Sequence, residues 1–262
     1  MSTRLAIGTA GWAIPRIVAG RFPDQGSSLE RYSALFNATE INSSFYRPHR
    51  RKTYARWADS VPPDFQFAVK LPKAISHAID TREQPALVER IAEEASGLGA
   101  KLAVLLVQFP PRRGFDPAAA TELFGRLSAA FDCAIACEPR HASWFGDDAG
   151  ELLARYRIAR VAADPPPVPA AAKPGGWAGL RYHRLHGSPA IYRSSYDDGR
   201  IAELGKALTA AADASSARWC IFDNTAGSHA AGDALALLGQ IAPQRPVRTR
   251  LPAVPSSTSC PP

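Results

Sequence analysis

The sequence lacks the features that define several common protein classes. No apolar run reaches 18 residues, so we expect no transmembrane helix, and the chain enters its first apolar segment at once, without the pattern of a signal peptide. G-x-G-x-x-G, GxxxxGK[ST] and GxSxG are all absent, which removes the usual support for dinucleotide, nucleoside triphosphate and serine hydrolase sites. These absences predict a cytoplasmic protein that makes no membrane contact.

Cysteine is also scarce, and its spacing argues against disulfides. The four cysteines are Cys133, Cys137, Cys220 and Cys260, none of them in a CxxC pair, and three lie in apolar runs. Cys133 and Cys137 are four residues apart on one predicted strand, about 13 Å at the rise of a strand, which is too far for a bridge. Reduced thiols in a cytosolic protein are the simplest interpretation.

The net charge of +7 comes mainly from arginine, since lysine is sparse. Because Ala, Arg and Pro are abundant together, this basic balance supports an anionic partner only weakly. A length of 262 residues suits one α/β barrel, which typically takes about 250 residues. We expect one domain over residues 1–242 and a disordered tail, rich in Pro, Ser and Thr, over residues 243–262.

Eight segments carry the apolar or alternating pattern of β-strands, with helical or loop segments between them. They are residues 4–9, 39–45, 65–71, 101–109, 133–138, 159–164, 179–186 and 218–224. This alternation predicts an α/β protein with a closed (β/α)8 TIM-like barrel. The sixth helix is replaced by a proline-rich loop, DPPPVPAAAKPGGW.

Polar side chains stand where these strands end, and in a barrel all the ends meet on one face, where ligands bind. The catalytic candidates are Glu138, Glu40, His186 and Asp164. The candidates for substrate binding are Arg140, Arg184, Lys70, Asn42, Gln108, Trp12, Tyr46, Trp144, His77, Asp223 and Asn224.

The stretch CAIACEPRHASWF contains the most informative of these strand ends. Glu138 and Arg140 are two residues apart, so we expect both side chains to face the mouth of the barrel, the open end where the strands finish. The same holds for Arg184 and His186. One hypothesis assigns anion binding to Arg140, Arg184 and Lys70. Glu138 or Glu40 would then act as base and His186 as its acid partner. The alternative for each carboxylate is a structural ion-pair network across the mouth.

We predict no cofactor. A divalent metal on Glu138, Asp164 and His186 is the alternative. No ligand-spacing motif such as HExxH supports such a site, and the basic groups nearby would repel a cation.

Together these observations predict a metal-independent enzyme, a lyase, isomerase or hydrolase, acting on a small phosphate- or carboxylate-bearing substrate. One alternative is a barrel that binds or processes nucleic acid, resembling metal-dependent endonuclease barrels. Arg47, Arg50, Arg51 and Arg56, interleaved with aromatic residues, would supply its basic patch, unless they form a solvated helix face. The other alternative is a non-catalytic protein that binds a metabolite.

Several blocks together resemble the YecE-like barrel family, a domain of unknown function (family 72). They are GTAGW, LERYSALFNATEINSSFYR, FQFAVKLPKAISH, LGAKLAVLLVQFPP, CEPRHASWF, YHRLHGSP and FDNTAGSHAAGDAL. The resemblance runs from the first predicted strand to the last helix and implies a TIM-like barrel with a polar pocket. It implies no activity.

Overall fold

The computed structural model describes residues 5–78, 82–210 and 216–241, so the tail predicted over residues 243–262 lies outside it. The strands are β1 (Leu5–Thr9), β2 (Ala38–Ile41), β3 (Gln66–Lys70), β4 (Leu102–Gln108), β5 (Ala134–Glu138), β6 (Ile158–Arg160), β7 (Ala162–Asp164), β8 (Gly175–Gly176), β9 (Leu180–Leu185) and β10 (Ala217–Phe222). The α-helices are α1 (Ser28–Ser33), α2 (Arg51–Asp59), α3 (Lys73–Ser76), α4 (Gln84–Ala95), α5 (Pro117–Ala130), α6 (Asp147–Arg155), α7 (Asp198–Thr209) and α8 (Ala230–Ile241).

The prediction of a closed (β/α)8 barrel was wrong, because the strands form two separate sheets. Four parallel strands make one sheet in the order β1-β10-β9-β7. Six strands make the other in the order β2-β3-β4-β5-β6-β8, where β8 is antiparallel to β6 and the remaining pairs are parallel. The fold is therefore α/β with two facing sheets.

Side chains interrupt the ladder between β1 and β2. Asn37 accepts from the Ile7 backbone N–H at 2.9 Å and donates to the Leu5 carbonyl at 2.9 Å, so its amide occupies groups that a neighbouring strand would use. The Tyr32 hydroxyl accepts from the Thr9 N–H at 2.8 Å and donates to the Ala38 carbonyl at 3.1 Å. One backbone bridge, Ala10 to Glu40, remains at this seam.

The second seam lies within the predicted sixth strand. Its first half, β6, pairs with β5, and its second half, β7, pairs with β9 in the other sheet. The outer edge of β6 is taken by β8, which comes from the proline-rich segment, so the ladder cannot continue from β6. That segment also contains a 3-10 helix at Pro169–Ala172.

The two sheets face each other across an inner core of small and large residues. Alanines from both sheets, Ala6 in one and Ala38, Ala68 and Ala136 in the other, leave room for the rings of Tyr182 and Trp219. These two rings stack with their centroids 5.7 Å apart. The opposite face of each sheet packs under the helices in a larger apolar cluster. The three described cysteines, Cys133, Cys137 and Cys220, are free thiols.

Helix α1 begins where the sequence predicts. Ser27 and Glu30 form a capping box, with the Ser27 hydroxyl accepting from the Glu30 N–H and the Glu30 carboxylate accepting from the Ser27 N–H. Strand β2, in contrast, ends at Ile41 rather than at Phe45. The Ser44 hydroxyl lies 2.8 Å from the Ile41 carbonyl and 2.6 Å from the Lys70 carbonyl, where it joins the ends of β2 and β3.

We expect Tyr32→Phe to lower the free energy of unfolding by about 1–3 kcal/mol, because the buried Thr9 N–H and Ala38 carbonyl would lose their partner. Urea denaturation measures this change. Tyr156→Phe is the matched control, since the hydroxyl of half-buried Tyr156 bonds to no residue that the structure describes. Equal stability of the two variants would contradict a bridging role for Tyr32.

Candidate functional site

The candidate site lies at the carboxyl ends of the strands, directly above the inner core. Six inner residues are each followed, two positions later, by a polar residue. These polar residues are Glu40, Lys70, Gln108, Glu138, Arg184 and Asp223. Because side chains alternate along a strand, they extend from the inner face onto one end of the two sheets.

Arg184, the last but one residue of β9, is the centre of this cluster. It donates to Glu40 through Nε at 3.0 Å and through Nη2 at 2.6 Å, in a bidentate pair. Its Nη1 donates to Glu138 at 2.9 Å, and its Nη2 lies 3.0 Å from Asp223 Oδ2. The Tyr182 hydroxyl completes the set by donating to Glu40 Oε2 at 3.0 Å.

This arrangement holds three carboxylates around one guanidinium that is 0% exposed. Burial opposes charge on Arg184, but Asp223, Glu40 and Glu138 outweigh it and hold the arginine pKa well above its ordinary value. Burial likewise raises the pKa of Glu138, but Arg184, His186 and other cations outweigh it and keep that pKa well below its usual range. Both groups are therefore charged at neutral pH.

His186 connects two of the carboxylates. Its Nδ1 lies 3.1 Å from Asp223 Oδ2, and its Nε2 lies 2.9 Å from Glu138 Oε1 and 3.1 Å from Arg140 Nη2. A protonated Nε2 donates to Glu138, whereas an unprotonated Nε2 accepts from Arg140. Burial lowers the pKa of His186, but Glu138 and Asp223 outweigh it and raise the pKa above the ordinary value.

Arg140 covers the cluster on the solvent side. Its side chain is 19% exposed, and its Nε and Nη2 donate to Glu138 Oε1 at 3.1 and 2.8 Å. Its Nη1 bonds to no residue in the described ranges. The ring of Tyr192, which is 38% exposed, lies edge-on to His186 at 5.6 Å. Arg140 thus presents one free N–H edge beside the imidazole.

Lys70 is the third cation, and it is bound differently. It is 5% exposed, and its Nζ lies 4.3 Å from the centroid of the Phe45 ring. Burial and the charge of Arg184 lower the pKa of Lys70 to about 8, against the opposing attraction of Glu40 and the other carboxylates. The three carboxylates are matched by Arg184, Arg140 and Lys70, so protonation of His186 gives the cluster a net positive charge.

The other predicted site residues are divided between the mouth and the periphery. Gln108 reaches Glu138 Oε1 at 3.5 Å. Asn42 and Asn224 each have a buried side-chain oxygen with no partner among the described residues. The Asn224 amide nitrogen donates to Asp233 at 2.6 Å and to the Ser194 carbonyl at 2.8 Å.

Asp164 and Trp144 lie outside the cluster. The Asp164 carboxylate accepts from Arg200 Nη2 at 2.6 Å and Nε at 3.0 Å, in a surface pair at the start of α7. Trp144 is 2% exposed, stacks on Phe109 at 4.8 Å, and donates its indole N–H to the Arg113 carbonyl. Its faces are therefore occupied by packing.

The remaining predicted residues surround the mouth at a distance. Trp12 is partly buried, with its ring 5.1 Å from that of Trp57. Tyr46 is 77% exposed and lines a cavity of about 450 Å³ beside Lys73. His77 lies edge-on to Phe45, at 5.1 Å, and burial together with nearby cations lowers its pKa to about 4.

Tyr182 and Asp233 were not among the predicted site residues. Tyr182 reads as an apolar strand residue, yet it has the same parity as Arg184, which was the available signal. Asp233 lies in the first turn of α8 and accepts from Ser195, from the Tyr196 N–H and from Asn224. Nothing in the sequence pattern links α8 to that distant loop.

Within the described ranges, no group of three or more His, Cys, Asp or Glu residues is arranged to hold a metal ion. The carboxylate oxygens nearest to such a role already accept hydrogen bonds from Arg184, Arg140 and His186. Among the same residues, no helix has the length and apolar character required to cross a membrane.

Comparison with known proteins shows one family. The model described as "Protein of unknown function DUF72" matches residues 6–257. The UPF0759 protein YecE of Escherichia coli K12 is 29% identical over 171 residues, or 63% of this chain and 61% of the relative. YecE of E. coli O157:H7 is 30% identical over 108 residues, or 41% of this chain and 38% of the relative. This chain thus spans about three fifths and two fifths of these two curated relatives.

Two solved structures have a similar fold. A DUF72 family protein from Enterococcus faecalis V583 has a TM-score of 0.77 at 20% identity, covering 91% of this chain and 95% of its own. A DUF72 family protein from Thermotoga maritima MSB8 has a TM-score of 0.66 at 22% identity, covering 89% and 97%. At these identities the likeness establishes the fold alone.

We expect Arg184→Met to lower the free energy of unfolding at pH 7 by about 3–5 kcal/mol, because three buried carboxylates would lose their cation. Arg200→Met removes an exposed arginine–carboxylate pair and is expected to cost less than about 1 kcal/mol. Urea denaturation at pH 7 and pH 5 distinguishes the two. Without Arg184 the pKa values of Glu138 and Asp223 rise, so these carboxylates are neutralised more readily on acidification. The difference in unfolding free energy between Arg184→Met and the wild type should therefore be smaller at pH 5 than at pH 7. A constant difference would contradict this charge arrangement.

The substitution His186→Gln tests whether the imidazole is held between the carboxylates of Glu138 and Asp223. The folded-state pKa of His186 lies above its ordinary value of 6.5, so its charge stabilises the folded chain below pH 6.5, and this contribution is lost as pH rises through the folded pKa. We therefore expect the stability lost in the variant to be larger near pH 5.5 than near pH 8.5, measured by urea denaturation.

His183→Gln is the matched control on the same strand. Burial and Arg181 lower the pKa of His183 to about 4, so the sign reverses: wild-type stability falls relative to this variant as pH drops below 6.5. Parallel pH profiles for the two variants would contradict the environment described for His186.

Proposed function

This chain belongs to the DUF72 family, and we propose that it is an enzyme that binds a small anionic substrate at the carboxyl ends of its strands. The observation that supports this most directly is the free N–H edge of Arg140 beside an imidazole held by two carboxylates. A guanidinium edge suits carboxylate and phosphate oxygens. The adjacent imidazole supplies a proton donor of raised pKa.

The proposed roles follow from which groups are already occupied. Arg184 and Glu40 are both 0% exposed and satisfy each other, so we assign them to the electrostatic framework rather than to substrate contact. Glu138 holds Arg140 and His186 in place and, because its pKa is strongly lowered, is a weak base. Arg140 and Lys70 are left to attract the anion, and His186 is left as the general acid.

We infer a lyase, isomerase or hydrolase reaction, since these classes need proton transfer and anion positioning at one place. Asp223, on Nδ1, orients the imidazole so that Nε2 carries the exchangeable proton, and Arg140 contacts the same nitrogen. We expect the reaction to need no resident metal, because the carboxylate oxygens of the cluster are already held by cationic N–H donors.

The test is isothermal titration with inorganic phosphate and with pyruvate at low ionic strength. We expect Arg140→Gln to weaken binding about tenfold or more, as loss of a hydrogen bond to a charged group costs about 1.5–3 kcal/mol. Arg112→Gln removes the same charge from an exposed arginine near the mouth and is expected to change binding less than about twofold.

Binding should also weaken as pH rises past about 8, the pKa of Lys70, since a neutral amine no longer attracts an anion. Two results would count against the proposal. One is anion binding that Arg140→Gln leaves unchanged. The other is a strong, salt-dependent affinity for DNA that persists in the same variant, which would instead favour a nucleic-acid function.

A further inference from the structure

Lys70 differs from the other buried cations of the site in having no anionic partner of its own. Arg184 and Arg140 donate to carboxylate oxygens at 2.6–3.1 Å. Lys70 Nζ instead faces the ring of Phe45 at 4.3 Å and makes no hydrogen bond or ion pair to a residue within 5–78, 82–210 or 216–241. A buried ammonium held in this way is the kind of lysine that gives up its proton readily and reacts as an amine.

Burial is the main cause of the low pKa of Lys70, and the charge of Arg184 adds to it. Arg184 draws Glu40, Glu138 and Asp223 toward itself, and its own charge opposes a second cation nearby. The low pKa of Lys70, about 8, agrees with this arrangement. At neutral pH roughly a tenth of the side chain is therefore the free amine, whereas an exposed lysine of ordinary pKa is almost wholly protonated.

A second feature next to Lys70 is suited to a ligand. In the parallel ladder, Ile41 is opposite Val69. Asn42 directly follows the end of β2, and Lys70 is the last residue of the neighbouring strand β3. The Asn42 side-chain oxygen is buried and accepts no hydrogen bond from any residue that the structure describes. Native proteins rarely leave such an oxygen unpaired, and a hydroxyl of a bound molecule would satisfy it.

We propose that Lys70 forms a Schiff base with the carbonyl carbon of an anionic carbonyl compound, either a 2-oxo acid or a sugar phosphate. This inference rests on the proposed function, since Arg140 would hold the anionic group while Nζ meets the carbonyl. It deepens that function by naming the substrate class and a covalent step.

The step balances without an external oxidant or reductant. The lysine ammonium first gives up one proton. The amine nitrogen then bonds to the carbonyl carbon, the C=O π pair moves to oxygen, and that oxygen takes a proton as the nitrogen loses one, which gives a neutral carbinolamine. The C–O bond then breaks with a second proton, releasing water, so that a lysine ammonium and a ketone become an iminium ion and water. The positive charge is conserved, and the buried carboxylates of Glu138 and Asp223 stabilise it.

The test uses borohydride, which delivers hydride to the iminium carbon and leaves a stable secondary amine. The protein is incubated at pH 7.5 with dihydroxyacetone phosphate, pyruvate or neutral dihydroxyacetone, reduced, and mapped by peptide mass spectrometry. We expect the two anionic probes to add their mass less one oxygen atom to Lys70. The trapped amount should exceed that at exposed Lys73 roughly tenfold, because the larger fraction of free amine at Lys70 outweighs the lower nucleophilicity of a less basic amine.

Two variants serve as controls. Lys70→Met should abolish the adduct while remaining folded by circular dichroism, because it replaces a buried charge with an apolar side chain. Lys73→Met removes an exposed lysine three residues further on and should leave the Lys70 adduct unchanged.

The possible outcomes distinguish failure of the Schiff base at Lys70 from failure of the proposed anion-binding function. Anion binding by calorimetry, together with no adduct at Lys70 or equal adducts at Lys70 and Lys73, overturns the Schiff base and leaves the anion site standing. Equal trapping of dihydroxyacetone and its phosphate, without anion binding, overturns the anionic substrate class. A Lys70 adduct that requires the anionic group supports both.

Discussion

The bidentate pair between Arg184 and Glu40, extended to Glu138 and Asp223, is the interaction on which the rest of the site depends. Glu40, Glu138 and Arg184 lie in strands β2, β5 and β9, and Asp223 directly follows β10, so the residues come from both sheets. A guanidinium with five N–H donors satisfies several carboxylates at once, whereas a lysine ammonium could not do so in one plane. One buried side chain therefore ties the two sheets together where their strands end.

The same charges govern the reactive groups around the centre. His186 gains a raised pKa because Glu138 and Asp223 lie on its two nitrogens. Lys70 acquires a lowered pKa because burial and Arg184 outweigh the attraction of carboxylates that are already engaged. The same site thus raises the pKa of the imidazole and lowers that of the amine, and such opposed shifts are typical of acid–base sites.

The inner core explains why the charged network can form at the carboxyl ends of the strands. Alanines at 38, 68 and 136 keep the facing sheets close, and the stacked rings of Tyr182 and Trp219 fill the remaining space. The close approach of β1 and β2 shows the same constraint, since a Cβ atom on Gly8 would lie 1.9 Å from the Ala38 carbonyl oxygen. The packed layer below then holds Arg184 and its partners rigidly and excludes water from them.

The sequence by itself determined the order of strands and helices, the family, and the set of polar residues that the strand ends carry, because alternation and turn signals are local. Glu138 and Arg140, two residues apart on one side, could be predicted to act together for this reason. The failure of the strands to close into one barrel could not be predicted from the sequence. It depends on the Asn37 and Tyr32 side chains, which take the place of backbone partners between β1 and β2.

The different environments of the site residues were likewise decided by the tertiary structure. Arg140, Arg184 and Lys70 read alike as cations at strand ends, but only the folded chain gives Arg184 three carboxylates, leaves Arg140 an exposed edge and leaves Lys70 without an anionic partner among the residues described. Asp164 and Trp144 read as site residues too, and the fold turns one toward Arg200 and buries the other. Parity determines which side a residue faces, whereas the partners it meets there come from distant strands.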